Sequence, residues 1–253
     1  MAVLFRVLES LLLTGAGIFM FALSNTSYYW QFLNPKYSWL TGLSGAVLAV
    51  IGAACMLNKE RQSKISELLG IVIFLSLAGV AVHSFEYAGE DNCWTPSGGL
   101  TGEFAAEIDP VVIYDGVEYV KINVAELLVI ESELSAGEAY AIQGLVLHSE
   151  ELDRRGYIGV GRLFITCCFA DSTAVVSLVK VDEPKKYEAG SWVRVLGVLG
   201  GEVPALEKNL TIKGALSAVR SDTFTLQAIE VEESPVEGMP FIFDVKTERP
   251  FEY

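Results

Sequence analysis

The sequence is poor in the residue types that build most catalytic centres. Its 253 residues include two histidines and four cysteines, and the histidines, His83 and His148, lie far apart along the chain. It contains no Gly-x-Ser-x-Gly motif and no glycine-rich phosphate-binding loop, and its carboxylates are spread at the spacing of a solvated surface. These absences predict that the protein is not an enzyme and that it needs no cofactor.

Basic residues are outnumbered more than two to one by acidic residues outside the N-terminal third. Residues 1–85 hold five Lys or Arg and three Asp or Glu, whereas residues 86–253 hold 13 against 29, a net of −16. A domain this acidic repels the phosphates of nucleic acid, so nucleic acid is excluded as a partner. The same charge favours cations and basic protein surfaces.

Three long runs of the N-terminal third are nearly free of charge, and the mean hydropathy of the whole chain is +0.40. Each is close to the length that spans a bilayer, at residues 7–23, 39–57 and 68–85. They predict a three-helix transmembrane region over residues 1–85. The basic loop at residues 58–64 predicts a cytoplasmic N-terminus and, after three crossings, an extracytoplasmic acidic domain. The alternative for the first run is a cleaved signal peptide.

Small residues recur along the second run. Gly45, Ala49 and Ala53 are four residues apart, a spacing that lets helix backbones approach closely in lipid. This helix-packing row serves either the neighbouring spans of the same chain or a partner protein. His83, near the outer end of the third run, is interpreted as a hydrated interfacial residue.

The soluble part begins with a tether at residues 86–110, rich in Gly and Pro, that contains Cys93. An Asp115-Gly116 turn then predicts a hairpin, and Asn123 with Glu126 predicts a capped helix. Five strand-like runs follow at residues 138–148, 161–170, 174–181, 192–199 and 223–231. They predict a mainly-β domain over residues 111–253, an OB-like barrel of five strands with its C-terminal tail lying across it.

Residues 162–171, Arg-Leu-Phe-Ile-Thr-Cys-Cys-Phe-Ala-Asp, form the central candidate site and have the composition of a strand. On a regular strand Cys167 and Cys168 leave on opposite faces, so they could not share one ion without a bulge. A bound divalent metal is therefore the weaker of two open alternatives, with Cys168, Asp171 and His148 as its candidate ligands. The other is a ligand or contact site made of Arg162, Phe164, Cys167, Cys168 and Asp171.

A disulfide is a further hypothesis, since the domain is predicted to face an oxidising compartment. Cys93 in the tether would pair with Cys168 and fasten the tether to the barrel. Cys55, in the second apolar run, is interpreted as a small apolar residue.

The chain resembles the YcgQ-like family of membrane permease subunits. The resemblance is carried by the three spans, the β-rich domain, the run at residues 162–171, the Trp-Val-Arg-Val-Leu-Gly run at 192–197 and the Pro-Phe-Glu-Tyr ending at 250–253. The family's Cys and Asp positions fall on Cys168 and Asp171, with Cys167 as a doubled cysteine. The resemblance implies no catalytic or binding role for them.

Two functions follow as hypotheses. The first, which the resemblance implies, is a non-enzymatic accessory subunit of a two-component permease in the cell membrane, whose acidic domain binds or gates cargo at a multi-span partner. The second is a membrane-tethered binding module that depends on the thiols or on a metal and works without a permease.

Overall fold

The computed structural model describes residues 2–26, 29–31, 33–57, 109–206, 210–234 and 236–253. The chain divides into two compact units, Met1–Asn92 and Cys93–Tyr253. The third predicted span, the basic loop at residues 58–64 and the tether up to residue 108, with His83 and Cys93, lie outside the described residues.

The described part of the first unit contains two long apolar helices, α1 (Ala2–Ser24) and α2 (Ser38–Leu57). A short 3-10 turn at Pro35–Tyr37 leads into α2, and the Asn34 side chain accepts the Lys36 N–H at its start. Both helices are long and apolar enough to cross a membrane, over Val7–Ser24 and Pro35–Leu57. The two helices are consistent with membrane association of the chain.

Glycines bring α1 and α2 into close contact. A Cβ added to Gly45 would lie 2.7 Å from the Gly17 carbonyl oxygen, and one added to Gly17 would lie 2.4 Å from the Ala49 nitrogen. Gly42 and Gly52 are also buried, whereas Ala53 is exposed. The contact row on α2 thus keeps Gly45 and Ala49 of the predicted row and leaves out Ala53. A strict four-residue spacing drifts around a helix with 3.6 residues per turn, so the row alternates steps of three and four.

The described part of the second unit is a mainly-β domain with eight strands, and the predicted hairpin is the first element in it. Strands β1 (Val111–Tyr114) and β2 (Val117–Lys121) pair antiparallel. Asp115 and Gly116 between them both have positive φ, at 48° and 77°, as a two-residue hairpin turn requires. The helix α3 (Val124–Val129) follows, and Asn123 and Glu126 form the predicted capping box.

The remaining strands are β3 (Ala139–Leu147), β4 (Tyr157–Phe164), β5 (Thr173–Lys180), β6 (Trp192–Leu199), β7 (Ser217–Arg220) and β8 (Leu226–Glu233), and a short helix α4 (Glu150–Arg155) precedes β4. Strands β3, β4, β5, β8 and β6 pair in that order, and β6 also pairs with β3. The series of hydrogen-bonded neighbours therefore returns to its first strand. Strand β2 extends the sheet by pairing with β3, and β7 pairs with β5.

The core of this domain lies on the faces of these strands that look toward α3. Among its fully buried side chains are Ile142, Ile158, Val179, Val193 and Leu226, and Leu127 of α3 joins the same cluster. Strands β3, β4 and β5 are buried at nearly every position, so their opposite faces are also covered.

The C-terminal segment at residues 236–253, here called the strap, lies against this domain without regular secondary structure. The fully buried carboxylate of Glu126 accepts the backbone N–H groups of Lys246 and Glu252 and, at its own helix start, of Asn123. Burial raises the pKa of Glu126, and these three N–H groups oppose the rise. One side chain of α3 thus supplies acceptors to two separate points of the strap.

We expect Glu126→Ala to lower the free energy of unfolding by about 3–5 kcal/mol, since each buried N–H left without an acceptor costs about 1–3 kcal/mol and relief from burying the carboxylate offsets part of the loss. Urea unfolding of the purified full chain would measure it, and limited proteolysis would show cleavage within the strap. Glu252→Gln is the matched control, because the Glu252 side chain makes only an exposed ion pair with Lys246, worth less than about 1 kcal/mol. Equal losses in the two variants would contradict this role of Glu126.

Candidate functional site

The two cysteines lie in a loop and not in a strand. β4 ends at Phe164, and β4 and β5 pair antiparallel with Phe164 opposite Thr173. This register leaves residues 165–172, here called the cysteine loop, to connect the two strands. The prediction of a strand over residues 161–170 is therefore wrong for residues 165–170. Its composition suits a strand, but residues 165–170 have no neighbouring strand in that register.

Asp171 organises the cysteine loop from within. Its carboxylate accepts the Cys167 N–H at 2.8 Å and the Cys168 N–H at 3.3 Å. The Asp171 N–H in turn donates to the Cys168 carbonyl at 3.1 Å, and a short 3-10 turn at Phe169–Asp171 completes the loop. The acceptance of the Cys168 N–H by the side chain of Asp171, three residues later, is one half of a capping box. It folds the loop over the carboxylate.

The consequence is that both thiols lie on the same side of the loop, beside the carboxylate. The Sγ atoms of Cys167 and Cys168 are 3.6 Å apart, and each of these lies within 4.8 Å of a carboxylate oxygen of Asp171. In a tetrahedral site with metal–sulfur bonds of about 2.3 Å, two sulfurs lie roughly 3.8 Å apart. The expectation that adjacent cysteines face opposite ways does not apply, because it assumed a regular strand.

The electrostatics of this cluster suit a cation better than a reactive thiolate. The hydrogen bond to Asp171, followed by the one to Cys168, raises the pKa of Cys167 to about 12. Burial alone would raise the pKa of Asp171, but hydrogen bonds from the Cys167 thiol and from backbone N–H groups outweigh it and lower that pKa. Nucleophilic cysteines need electropositive surroundings that favour the thiolate. Here the nearest charge is negative.

Arg162 does not form a surface contact site with the cysteines. It is 2% exposed, and its guanidinium donates to the carbonyl oxygens of Met239 and Pro240 in the strap. It also lies 5.8 Å from the ring of Trp192. Burial lowers the pKa of Arg162 to about 10, which leaves it charged at neutral pH. Phe164 is half-buried and packs against the core.

His148 lies at the other end of β4 from the cysteine loop. In the β3–β4 pairing Leu147 is opposite Gly159, five residues before the end of β4, which is roughly 17 Å along an extended strand. The Nδ1 atom of His148 lies 2.7 Å from an Asp153 carboxylate oxygen, and its Nε2 atom lies 2.8 Å from the Tyr187 carbonyl oxygen. The structure therefore brings together Cys167, Cys168 and Asp171 and leaves His148 out. Cys93, the predicted disulfide partner of Cys168, lies outside the described residues.

Sequence reasoning missed the residues of the strap that contact the cysteine loop. The ring of Phe241 meets the ring of Phe169 edge to face, with centroids 5.0 Å apart. The Ile165 N–H donates to the Ile242 carbonyl at 2.9 Å, and the Ile242 N–H donates to the Leu163 carbonyl at 2.8 Å. The aromatic residues of the tail were a signal that it packs on the domain, but they did not indicate where.

The arrangement is that of two apolar helices followed by a mainly-β domain with a surface cluster of two thiols and a carboxylate. The model of the DUF1980 C-terminal domain, an uncharacterised family, matches residues 119–220. This segment runs from β2 to β7, includes the whole cysteine loop and stops before the strap. No curated protein and no solved structure matches the chain.

We expect Asp171→Asn to speed the alkylation of Cys167 by iodoacetamide at neutral pH. Removing the carboxylate charge lowers the pKa of the thiol from its raised value, so a larger fraction is thiolate, the reactive form. Site-resolved mass spectrometry would give the rates. Asp153→Asn, at the His148 end of β4, should leave the rate unchanged. A slower reaction in Asp171→Asn would contradict the described geometry.

Proposed function

We propose that this protein is a membrane-anchored module whose β-domain binds a thiophilic divalent metal ion through Cys167, Cys168 and Asp171. The observation that carries the proposal is the convergence of their donor atoms within 4.8 Å of one another. The separation of the two sulfurs, 3.6 Å, is close to the edge of a tetrahedral thiolate site. The backbone hydrogen bonds to Asp171 support it further, because outer contacts of this kind orient ligating carboxylates.

The donor types point to the class of ion. Thiolates select borderline and soft ions such as Zn²⁺ and Cd²⁺, whereas Mg²⁺ and Ca²⁺ take oxygen ligands. Cys167 is exposed, so an ion can reach the cluster from solvent. The net charge of −16 over residues 86–253 raises the local concentration of cations near the domain.

The proposal also covers the fold of the β-domain and its location relative to the membrane. The cyclic series of five paired strands supports an OB-like barrel as the scaffold. Its last strand, β8, lies between β5 and β6, which is the strand order of that barrel. The three apolar runs and the basic loop between the last two support a three-span anchor in the cell membrane. On that topology the β-domain is extracytoplasmic.

We expect the full chain, purified in mild detergent, to bind a single Cd²⁺ or Zn²⁺ ion in equilibrium dialysis with elemental analysis. Cys168→Ser should weaken binding by more than the roughly 10- to 100-fold that is typical for loss of an outer-shell partner, because it removes a ligand. His148→Ala is the control and should bind like the unaltered chain. Binding that survives Cys168→Ser unchanged would sink the proposal.

An accessory role beside a permease is the second candidate, supported by the resemblance and by the two faces of α2. The glycine face is covered by α1, whereas Leu43, Val47 and Val50, spaced as one helical face, are 55%, 50% and 67% exposed in the described part of the chain. A partner's span would dock on this apolar face rather than on the row at Gly45 and Ala49. The domain would then bind or gate cargo at the partner.

If this second candidate is correct, a multi-span protein should co-purify in fixed proportion with the tagged full chain from its native membrane. Val47→Trp, on the exposed face, should reduce the recovered partner through steric mismatch. Ala125→Ser, in the β-domain, is a control that leaves α2 intact. Quantitative mass spectrometry would give the ratio of partner to chain in each preparation. Recovery of the chain without a partner, in a fraction that binds metal, would contradict the accessory role and leave only the metal-binding function.

A further inference from the structure

The strap touches the cysteine loop at its start and in its interior, although no donor atom of the metal-ligand cluster comes from the strap. At the start of the loop, Ile242 exchanges hydrogen bonds with Leu163 and Ile165. Inside the loop, the ring of Phe169, next to Cys168, packs edge to face on Phe241. Phe241 is 5% exposed, and Phe169 is half-buried.

The strap is itself fastened on both sides of this contact. Before it, the Glu237 carboxylate accepts from Lys121 at 2.7 Å and from Arg194 at 2.9 Å. After it, Glu126 accepts the backbone N–H groups of Lys246 and Glu252.

Between these two anchors the buried Arg162 guanidinium donates to two consecutive carbonyl oxygens, those of Met239 and Pro240. Phe241 comes directly after them in the chain. Its ring therefore sits on a backbone that is fixed to the domain at three places.

We propose that the strap positions the cysteine loop for metal binding. Phe241 is the positioning residue, and through its contact with Phe169 it sets the affinity of Cys167, Cys168 and Asp171 for the metal ion. The inference rests on the proposed metal-binding function and adds to it a segment, residues 236–253, that lies outside the matched family domain.

The physical argument is one of preorganisation. Metal ligation needs the two sulfurs and the carboxylate at a defined separation, and an exposed loop that samples other conformations binds only through the fraction in the competent one. Asp171 fixes the backbone of the loop from inside, and the Phe169–Phe241 contact fixes it against the rest of the domain. Loss of a hydrogen-bonding partner of a metal ligand typically costs 10- to 100-fold in metal affinity, and we expect the lower end of this range for a contact with the residue next to a ligand.

The test is a Cd²⁺ titration of the purified full chain in detergent, followed by the thiolate-to-metal charge-transfer absorption. Phe241→Leu keeps an apolar side chain but removes the edge-to-face contact, and we expect affinity to fall by about tenfold or more. Phe243→Leu is the matched control: Phe243 packs on Phe241, with centroids 6.3 Å apart, and leaves the contact with Phe169 in place. The affinity of the Phe243→Leu variant for Cd²⁺ should not change.

A double-mutant cycle separates positioning from a general loss of stability. If the two rings act through their contact, adding Phe169→Leu to Phe241→Leu should weaken binding little beyond either single change. Thermal unfolding without metal should give similar midpoints for Phe241→Leu and Phe243→Leu. Fully additive losses, or equal affinity in Phe241→Leu and the unaltered chain, would overturn the inference.

A second measurement tests the strap without any metal. If the strap holds the loop, the alkylation rate of Cys168 should rise in Phe241→Leu and stay unchanged in Phe243→Leu. If the unaltered chain shows no thiolate-to-metal absorption band, the proposed metal-binding function is wrong. The alkylation rates would still decide whether the strap positions the loop. Equal rates in the two variants would count against the strap.

Discussion

The antiparallel register of β4 and β5 is the constraint on which the site depends. With Phe164 opposite Thr173, the chain must leave the sheet at residue 165 and return at residue 173. Cys167 and Cys168 then fall in the turn between the strands, where adjacent side chains need not alternate. A register longer by a few pairs would place the cysteines on opposite faces of a strand, and two sulfurs could not lie 3.6 Å apart.

Two buried ionisable side chains, a carboxyl group and a guanidinium group, hold the strap against the domain. Glu126 supplies acceptors to backbone N–H groups, and Arg162 supplies donors to backbone carbonyl groups. Buried backbone groups of a segment without regular structure still need hydrogen-bond partners, and side chains can supply them. Charged side chains are suited to this task because each offers several donors or acceptors, and hydrogen bonds to a charged group are the stronger kind. The strap is thereby held near the cysteine loop without a strand or a helix of its own.

Local patterns in the sequence were sufficient for much of the fold. The Asp115-Gly116 turn, the Asn123–Glu126 capping box and the first two apolar helices depend on interactions between near neighbours, and the described part of the chain contains each of them. Strand positions were close where β-branched residues alternate with others. The run at residues 165–170 has the same composition, yet it is a loop. Composition reports the fit of a side chain to a sheet and does not report whether a neighbouring strand is present.

What the sequence by itself determined is therefore the division into an apolar helical part and an acidic mainly-β part, together with the residues worth testing: Cys167, Cys168 and Asp171. These follow from charge, hydropathy and short-range geometry, which act within a few residues. Only the tertiary structure decided that these three converge, that His148 lies at the far end of β4, that Arg162 is buried beneath the strap, and that Phe241 touches Phe169. Each depends on contacts between residues far apart in the chain, set by strand register and by the path of the tail, and no local pattern encodes either.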